Sequence, residues 1–215
     1  MTEAEWLAGA YYDVISHARG TTSLRKARLA ACAFCRRMYA WYTDDRDYQK
    51  AKPCLEVAER FADGRVSREE LSRARKAVGR RPVFRAALAA ASPDAEAVWG
   101  ASEIAFGLLY HHYGDDRNQA DAAAMDLVYE HADIPRDVFG DPFRPVAFAP
   151  EWRTDTAVTL VRQMYEAREF SAMPILADAL QDAGCDNADV LDHCRDPQAT
   201  HVRGCWVCDL VLGKE

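Results

Sequence analysis

SLRKARLAACAFCRRMYAWY, residues 23–42, sets Leu24, Ala27, Ala31, Phe34/Cys35, Met38 and Tyr42 at steps of three and four. That spacing lays the apolar side chains on one face of a helix. Arg25, Lys26 and Arg28 stand in its first turn, where cations oppose the helix dipole at a cost of a few tenths of a kcal/mol each. Packing of the apolar stripe, or a partner, has to outweigh that cost.

Helix punctuation continues outward on both sides of this segment. Thr2 with Glu5, and Ser67 with Glu70, have the spacing of capping boxes. Ser92-Pro93 is expected to open a helical segment running to about Tyr113. Thr154 caps 155–168, Ser171 a helix through Ala183, and Asn187 a short one ending near Arg195. Gly64, Gly114, Gly184 and Gly213 fall where left-handed C-terminal caps belong. Pro53 is expected to start a helix through about Ala62, because an interior proline costs about 3 kcal/mol. Only Pro145-Val146-Ala147-Phe148 has an extended look, and the prolines at 142, 145 and 150 make this the longest non-helical join. With no fixed repeat and no Gly/Ser linker, the reading is all-α: a single compact multi-helix domain, 1–215, of about eight to ten helices with little or no strand. Any subdivision is expected near 141–150.

With 215 residues, 49% of them hydrophobic and 28% charged, the chain can bury a core without disulfide staples and is too apolar for a disordered one. Its apolar runs are far shorter than a membrane span. The start, MTEAEWLAGAYYD, carries acids where a secretory signal has a basic region, so a cytoplasmic location is expected. Seven cysteines, an odd number, then read as free thiols. The net charge of −7 is uneven: residues 1–85 hold 18 Lys/Arg against 11 Asp/Glu, and the rest 9 against 23. Such polarity suits docking of the two halves, self-association, an unknown protein partner or an anionic partner, the first being the expectation. Residues 60–85 hold nine Lys/Arg and three acids. There Arg80, Arg81 and Arg85, beside Phe84, form a candidate anion-binding stretch. Nucleic acid is not the favoured partner, since the chain is acidic overall. His111-His112 lacks an HExxH pattern, and no GxGxxG or P-loop occurs.

Two CxxC pairs stand out. Cys32-Ala33-Phe34-Cys35 lies mid-helix, where that spacing merely puts two small apolar side chains on one face, so burial is expected. The tail gathers Cys185, His193, Cys194, His201, Cys205 and Cys208 within 24 residues. His201-x3-Cys205-x2-Cys208, completed by Cys185, His193 or Cys194, is a chemically sensible zinc quartet, although no standard finger spacing is matched. Redox chemistry at Cys205 requires a lowered thiol pKa and a thioredoxin-like strand, and no such strand is visible. Cys205 with His201 as a nucleophile pair needs a third group, and Asp209 lies on the wrong side of the thiol. Asp209 itself sits in an apolar helix and is expected to be a buried carboxylate in need of a cation, with Arg36, Arg37 or Arg203 as candidates.

The stretch FGDPFRPV (139–146), the tail from PILADAL (174–180) through AGCDNADVLDHCR to HVRGCWVCDLVLGK, the start TEAEW and ACAFCRR together resemble an uncharacterised bacterial family of small helical proteins. That family carries an FGNPFRP motif and ends on HVRGCW-x-x-D-LLLG, with no assigned activity. The resemblance spans nearly the whole chain and implies a helical fold. It includes Cys32, Cys35, Cys185, His201, Arg203, Cys205 and Asp209, and departs from the family pattern at Asp141, Cys194 and Cys208. It implies a site independent of Cys194 and Cys208, with Cys205 packed beside Cys32/Cys35 and an Arg36–Asp209 ion pair. The function expected first is a non-enzymatic binding or regulatory module. A thiol-based zinc-binding or Cys/His enzyme site at Cys185, His201, Cys205 and Cys208 is the alternative, and nucleic-acid binding the third reading.

Overall fold

A computed structural model describes residues 1–114 and 116–214; the His111 side chain lies outside the described residues. All regular structure among them is helical. The chain divides into two compact units: a middle unit, Gly9–Ala132, and a terminal unit that joins Met1–Ala8 to Asp133–Glu215. The stretch 141–150 therefore lies inside the terminal unit, and the divisions fall after Ala8 and after Ala132.

Helix α1 (Glu3–Ala8) opens the chain. Its capping box is complete, with Thr2 N–H donating to Glu5 Oε2 at 2.7 Å and Glu5 N–H to Thr2 Oγ1 at 3.2 Å. The middle unit follows with α2 (Tyr11–Ala18), α3 (Leu24–Tyr42), α4 (Asp45–Ala62), α5 (Arg68–Val78), α6 (Arg85–Ala90), α7 (Ala95–Trp99), α8 (Ala101–Tyr113) and α9 (Arg117–Glu130). On α3 the stripe Ala27, Ala31, Phe34, Cys35 and Met38 is buried. The basic first turn of α3 is held by tertiary partners. Arg28 is buried and donates to the carbonyls of Ala90 and Ser92 at 2.7 and 2.6 Å, while Arg25 pairs with Asp63 at 2.9 Å.

Two expected boundaries move. Pro53 sits inside α4 instead of opening a helix. The neighbours Ala51, Cys54, Leu55 and Ala58 are all fully buried, and that packing outweighs one missing backbone hydrogen bond. The 92–113 segment breaks at Gly100 into α7 and α8, and α7 takes its cap from Asp94. Breaks of this kind raise the helix count among the described residues above the expected eight to ten.

The terminal unit continues with α10 (Asp133–Phe139), α11 (Asp155–Ala167), α12 (Met173–Asp182), α13 (Ala188–Arg195) and α14 (Trp206–Leu212). Thr154 caps α11 and Asn187 caps α13. Ser171 bonds to Glu169, and α12 begins two residues later without a side-chain cap. The core of this unit is built on Val161, Met164, Leu176, Leu180, Val190 and Val207. Arg136 on α10 donates to the carbonyl of the buried Trp6 at 2.9 Å, joining α1 to this unit. Among the described residues no helix is long and apolar enough to cross a membrane.

Candidate metal centre

Three pieces of the terminal unit converge below the C-terminal end of α13. Asp137 comes from α10, where Ile134, Pro135 and Val138 are buried around it. His193 lies in the last turn of α13. His201 and Cys205 come from the loop between α13 and α14, and Cys205 is the residue that caps α14. One donor atom from each of the four side chains lies within 4.8 Å of all the others.

Four of the six separations are shorter than that limit. Asp137 Oδ1 stands 3.2 Å from both His193 Nε2 and His201 Nδ1. Cys205 Sγ is 3.3 Å from His193 Nε2 and 4.0 Å from His201 Nδ1. Donors placed at zinc bond lengths of about 2.0–2.3 Å and tetrahedral angles are about 3.3–3.6 Å apart. Three of these edges match that frame and the His201–Cys205 edge is slightly long. Asp137 Oδ2 accepts the backbone N–H of Val202 at 2.8 Å, which leaves Oδ1 aimed at the imidazoles. Outer hydrogen bonds of this type orient metal ligands. The Trp206 ring lies 5.1 Å from that of His193 and packs on Gly140, where an added Cβ would come within 3.2 Å of the indole.

Asp137 and Cys205 are buried, while the His193 and His201 side chains keep 17% and 8% of their exposure, so the imidazoles form the solvent side of the cluster. A cleft of about 470 Å³ adjoins it, lined by His201, Cys194, Met173, Phe170 and Arg168 among others. Burial raises the Asp137 carboxyl, but the hydrogen bonds and charges of the two imidazoles outweigh it and leave the group below the usual carboxylate range. Burial lowers both imidazoles; their contacts with Cys205 and Asp137 outweigh it and raise them. Burial, the hydrogen bond with Cys208 and the charge of Asp137 push the Cys205 thiol well above its ordinary value. In the ion-free protein the Asp137 carboxylate is therefore an anion held by the two imidazoles. Without a bound ion, a nucleophilic or redox Cys205–His201 pair, which needs a depressed thiol pKa, is not what this environment produces.

Of the expected candidates, His201 and Cys205 are in the cluster, and Cys185 and Cys208 are not among its four ligands. Cys185 is buried in the core of the unit. Cys208 points into the same core, with its Sγ 3.7 Å from Met173 Sδ. Their places are taken by His193, one of the alternatives for the fourth ligand, and by Asp137, which the sequence reading missed. Asp137 lies far upstream of the Cys/His tail. The one signal for it was an acid on a helix whose neighbours Ile134 and Val138 are apolar. Comparison with protein-family models, curated proteins and solved structures finds no match to this chain.

The expected Arg36–Asp209 pair is also corrected. Arg36 donates through Nε and Nη2 to the two oxygens of Glu59, at 2.7 and 3.3 Å, because α3 and α4 pack side by side in the middle unit. Asp209 is buried in the terminal unit and accepts from the Tyr165 hydroxyl at 3.1 Å. Arg203, itself buried, lies over the Tyr165 ring at 4.6 Å and donates to the Tyr165 carbonyl at 3.2 Å. Cys32 and Cys35 are buried in the middle unit and Cys205 belongs to the core of the terminal one. All seven cysteines are free. Arg80, Arg81 and Arg85 are exposed, but Arg81 is bound at 2.6 Å to Asp47 and stacks on Phe84.

Proposed function

We propose that the protein is a zinc-binding protein whose single ion is held by Asp137, His193, His201 and Cys205 and ties α10, α13 and the loop before α14 together. The observation that carries this reading is the four-donor cluster itself, with three of its edges, 3.2, 3.2 and 3.3 Å, close to those of a zinc tetrahedron. A mixed thiolate, imidazole and carboxylate set suits zinc, whereas magnesium and calcium prefer oxygen ligands alone. Four protein ligands leave no open coordination position, so the ion serves structure and not catalysis. This agrees with a non-enzymatic protein.

Metal analysis of protein purified without added zinc tests the proposal, together with zinc titration of chelator-treated protein. One equivalent of zinc is expected. The Cys205→Ala and His193→Ala variants are expected to lose it, with affinity falling by more than the roughly 10- to 100-fold that loss of an outer hydrogen-bond partner costs. Absence of zinc both on isolation and after titration overturns the reading.

Engagement of a protein partner is a second reading, supported by the large side chains left exposed in the middle unit: Trp41, Tyr110, Met125 and Tyr129. Exposed aromatic and Met side chains are enriched at interfaces. Concentration-dependent sedimentation that the Trp41→Ala and Tyr129→Ala variants abolish is the expected signature of self-association.

A further inference from the structure

The proposed metal site leaves the nearby thiols of Cys194 and Cys208 unused, and only Cys208 shares a helical turn with Cys205. In Cys205-Trp206-Val207-Cys208, Cys205 caps α14 and Cys208 is the third residue of that helix. The side chain of an N-cap residue turns toward the third residue of its helix, so Cys205 and Cys208 share the first turn of α14, and a modest closing movement brings them to disulfide separation. Cys205 Sγ faces His193 and His201, and Cys208 Sγ donates to Met173 Sδ at 3.7 Å on the core side of the same turn. Both cysteines are fully buried, yet only one side chain separates each from the cleft. His201 lines the cleft and touches Cys205, and Met173 lines it and touches Cys208. Zinc has no redox chemistry of its own, so the thiolate is the oxidisable part of the centre.

We propose that Cys208 is the resolving thiol of a peroxide-driven switch in which Cys205 leaves the metal, bonds to Cys208 and so releases the ion. This rests on the zinc reading above. The Cys205 thiolate attacks one oxygen of hydrogen peroxide, the O–O bond breaks, and the departing hydroxide takes a proton from solvent to become water. The sulfenic acid formed on Cys205 is attacked by the Cys208 sulfur. The S–S bond forms, the S–O bond breaks, and the Cys208 thiol proton leaves with that oxygen as a second water. The sulfur pair is oxidised by two electrons, the peroxide is reduced, and zinc retains three of its four ligands, an incomplete structural site.

The test uses the zinc-loaded full chain, hydrogen peroxide and a chromogenic zinc chelator, with intact-mass and peptide mapping. The expected result is release of the bound zinc in step with a Cys205–Cys208 disulfide and loss of two hydrogens in mass. A thiol reductant is then expected to restore binding. The Cys208→Ala variant is expected to bind zinc normally but, once oxidised, to carry added oxygen on Cys205 and to resist rescue by the reductant. Cys208→Ser serves if the alanine variant fails to hold zinc, and the wild-type peptide map decides if both fail. Zinc retained under peroxide, or zinc lost with no bond between Cys205 and Cys208, overturns the switch and leaves the metal reading standing. A chain that binds no zinc in any preparation overturns both.

Discussion

Asp137 accepts from His193, His201 and the Val202 backbone at once, and this decides how the cluster behaves with pH. In the ion-free protein burial lowers both imidazoles, but Cys205 and Asp137 together carry His193 from 6.5 to about 9, and the hydrogen bonds to Asp137 and Cys205 carry His201 from 6.5 to about 10. The folded state then holds protons that the unfolded chain has released. That contribution to stability is fully present below about pH 6.5 and is lost as pH rises through 9–10. The raised Cys205 thiol acts in the same direction at the upper end. Zinc reverses the sign, because it binds deprotonated ligands and its affinity rises with pH. Denaturant titrations from pH 6.5 to 9.5 are expected to show falling stability after chelation and no such fall in zinc-loaded protein. Asp137→Asn is expected to reduce the chelated protein's pH slope, leaving the part due to Cys205, and to weaken zinc binding.

At the scale of elements, the four-donor cluster rests on a contact that carries none of its residues. Gly140 ends α10 at φ +72°, and its bare Cα lets the Trp206 indole, the neighbour of His193, pack against it. Gly140→Ala places a Cβ in a left-handed backbone and 3.2 Å from the ring. Strain of that kind costs roughly 1–3 kcal/mol. The variant is expected to melt earlier and to bind zinc more weakly, and calorimetry with zinc titration measures both. In the middle unit the α3–α4 pairing rests in part on Arg36–Glu59, with Glu59 2% exposed. Glu59→Ala strands the guanidinium and is expected to destabilise by about 3–5 kcal/mol, whereas Arg36→Met with Glu59→Leu is expected to recover most of the loss. Denaturant midpoints compare the two.

For the whole molecule, the division into two compact units would restrict the influence of the proposed ion to one of them. All four ligands lie in the terminal unit. Binding stabilises the folded state by about 2.7 kcal/mol at a hundredfold excess of free zinc over its dissociation constant. Chelation is therefore expected to speed amide exchange in α10, α13, α14 and the loop between the last two, and to leave α3 and α4 protected. Exchange mass spectrometry with and without chelator reads this directly, and uniform loss of protection through both units counts against it.

The all-helical class was legible because helix periodicity and caps are local. The stripe of α3, the Thr2–Glu5 box and the Thr154 and Asn187 caps each involve residues within a few positions of one another, and the backbone conformation follows from them. His201 and Cys205 were legible for the same reason, being four apart on one loop. Pro53 inside α4, the partners of Arg25, Arg28 and Arg36, and the place of Asp137 were not. Each is settled by atoms from a distant stretch of chain, and no spacing rule encodes those. By itself, then, the sequence determined a helical chain with free thiols and a Cys/His-rich tail. The tertiary structure alone decided which of those thiols meets imidazole and carboxylate. Packing α10 against α14 brings Asp137 across 64 positions to His201, while the turn of α14 carries Cys208 into the core.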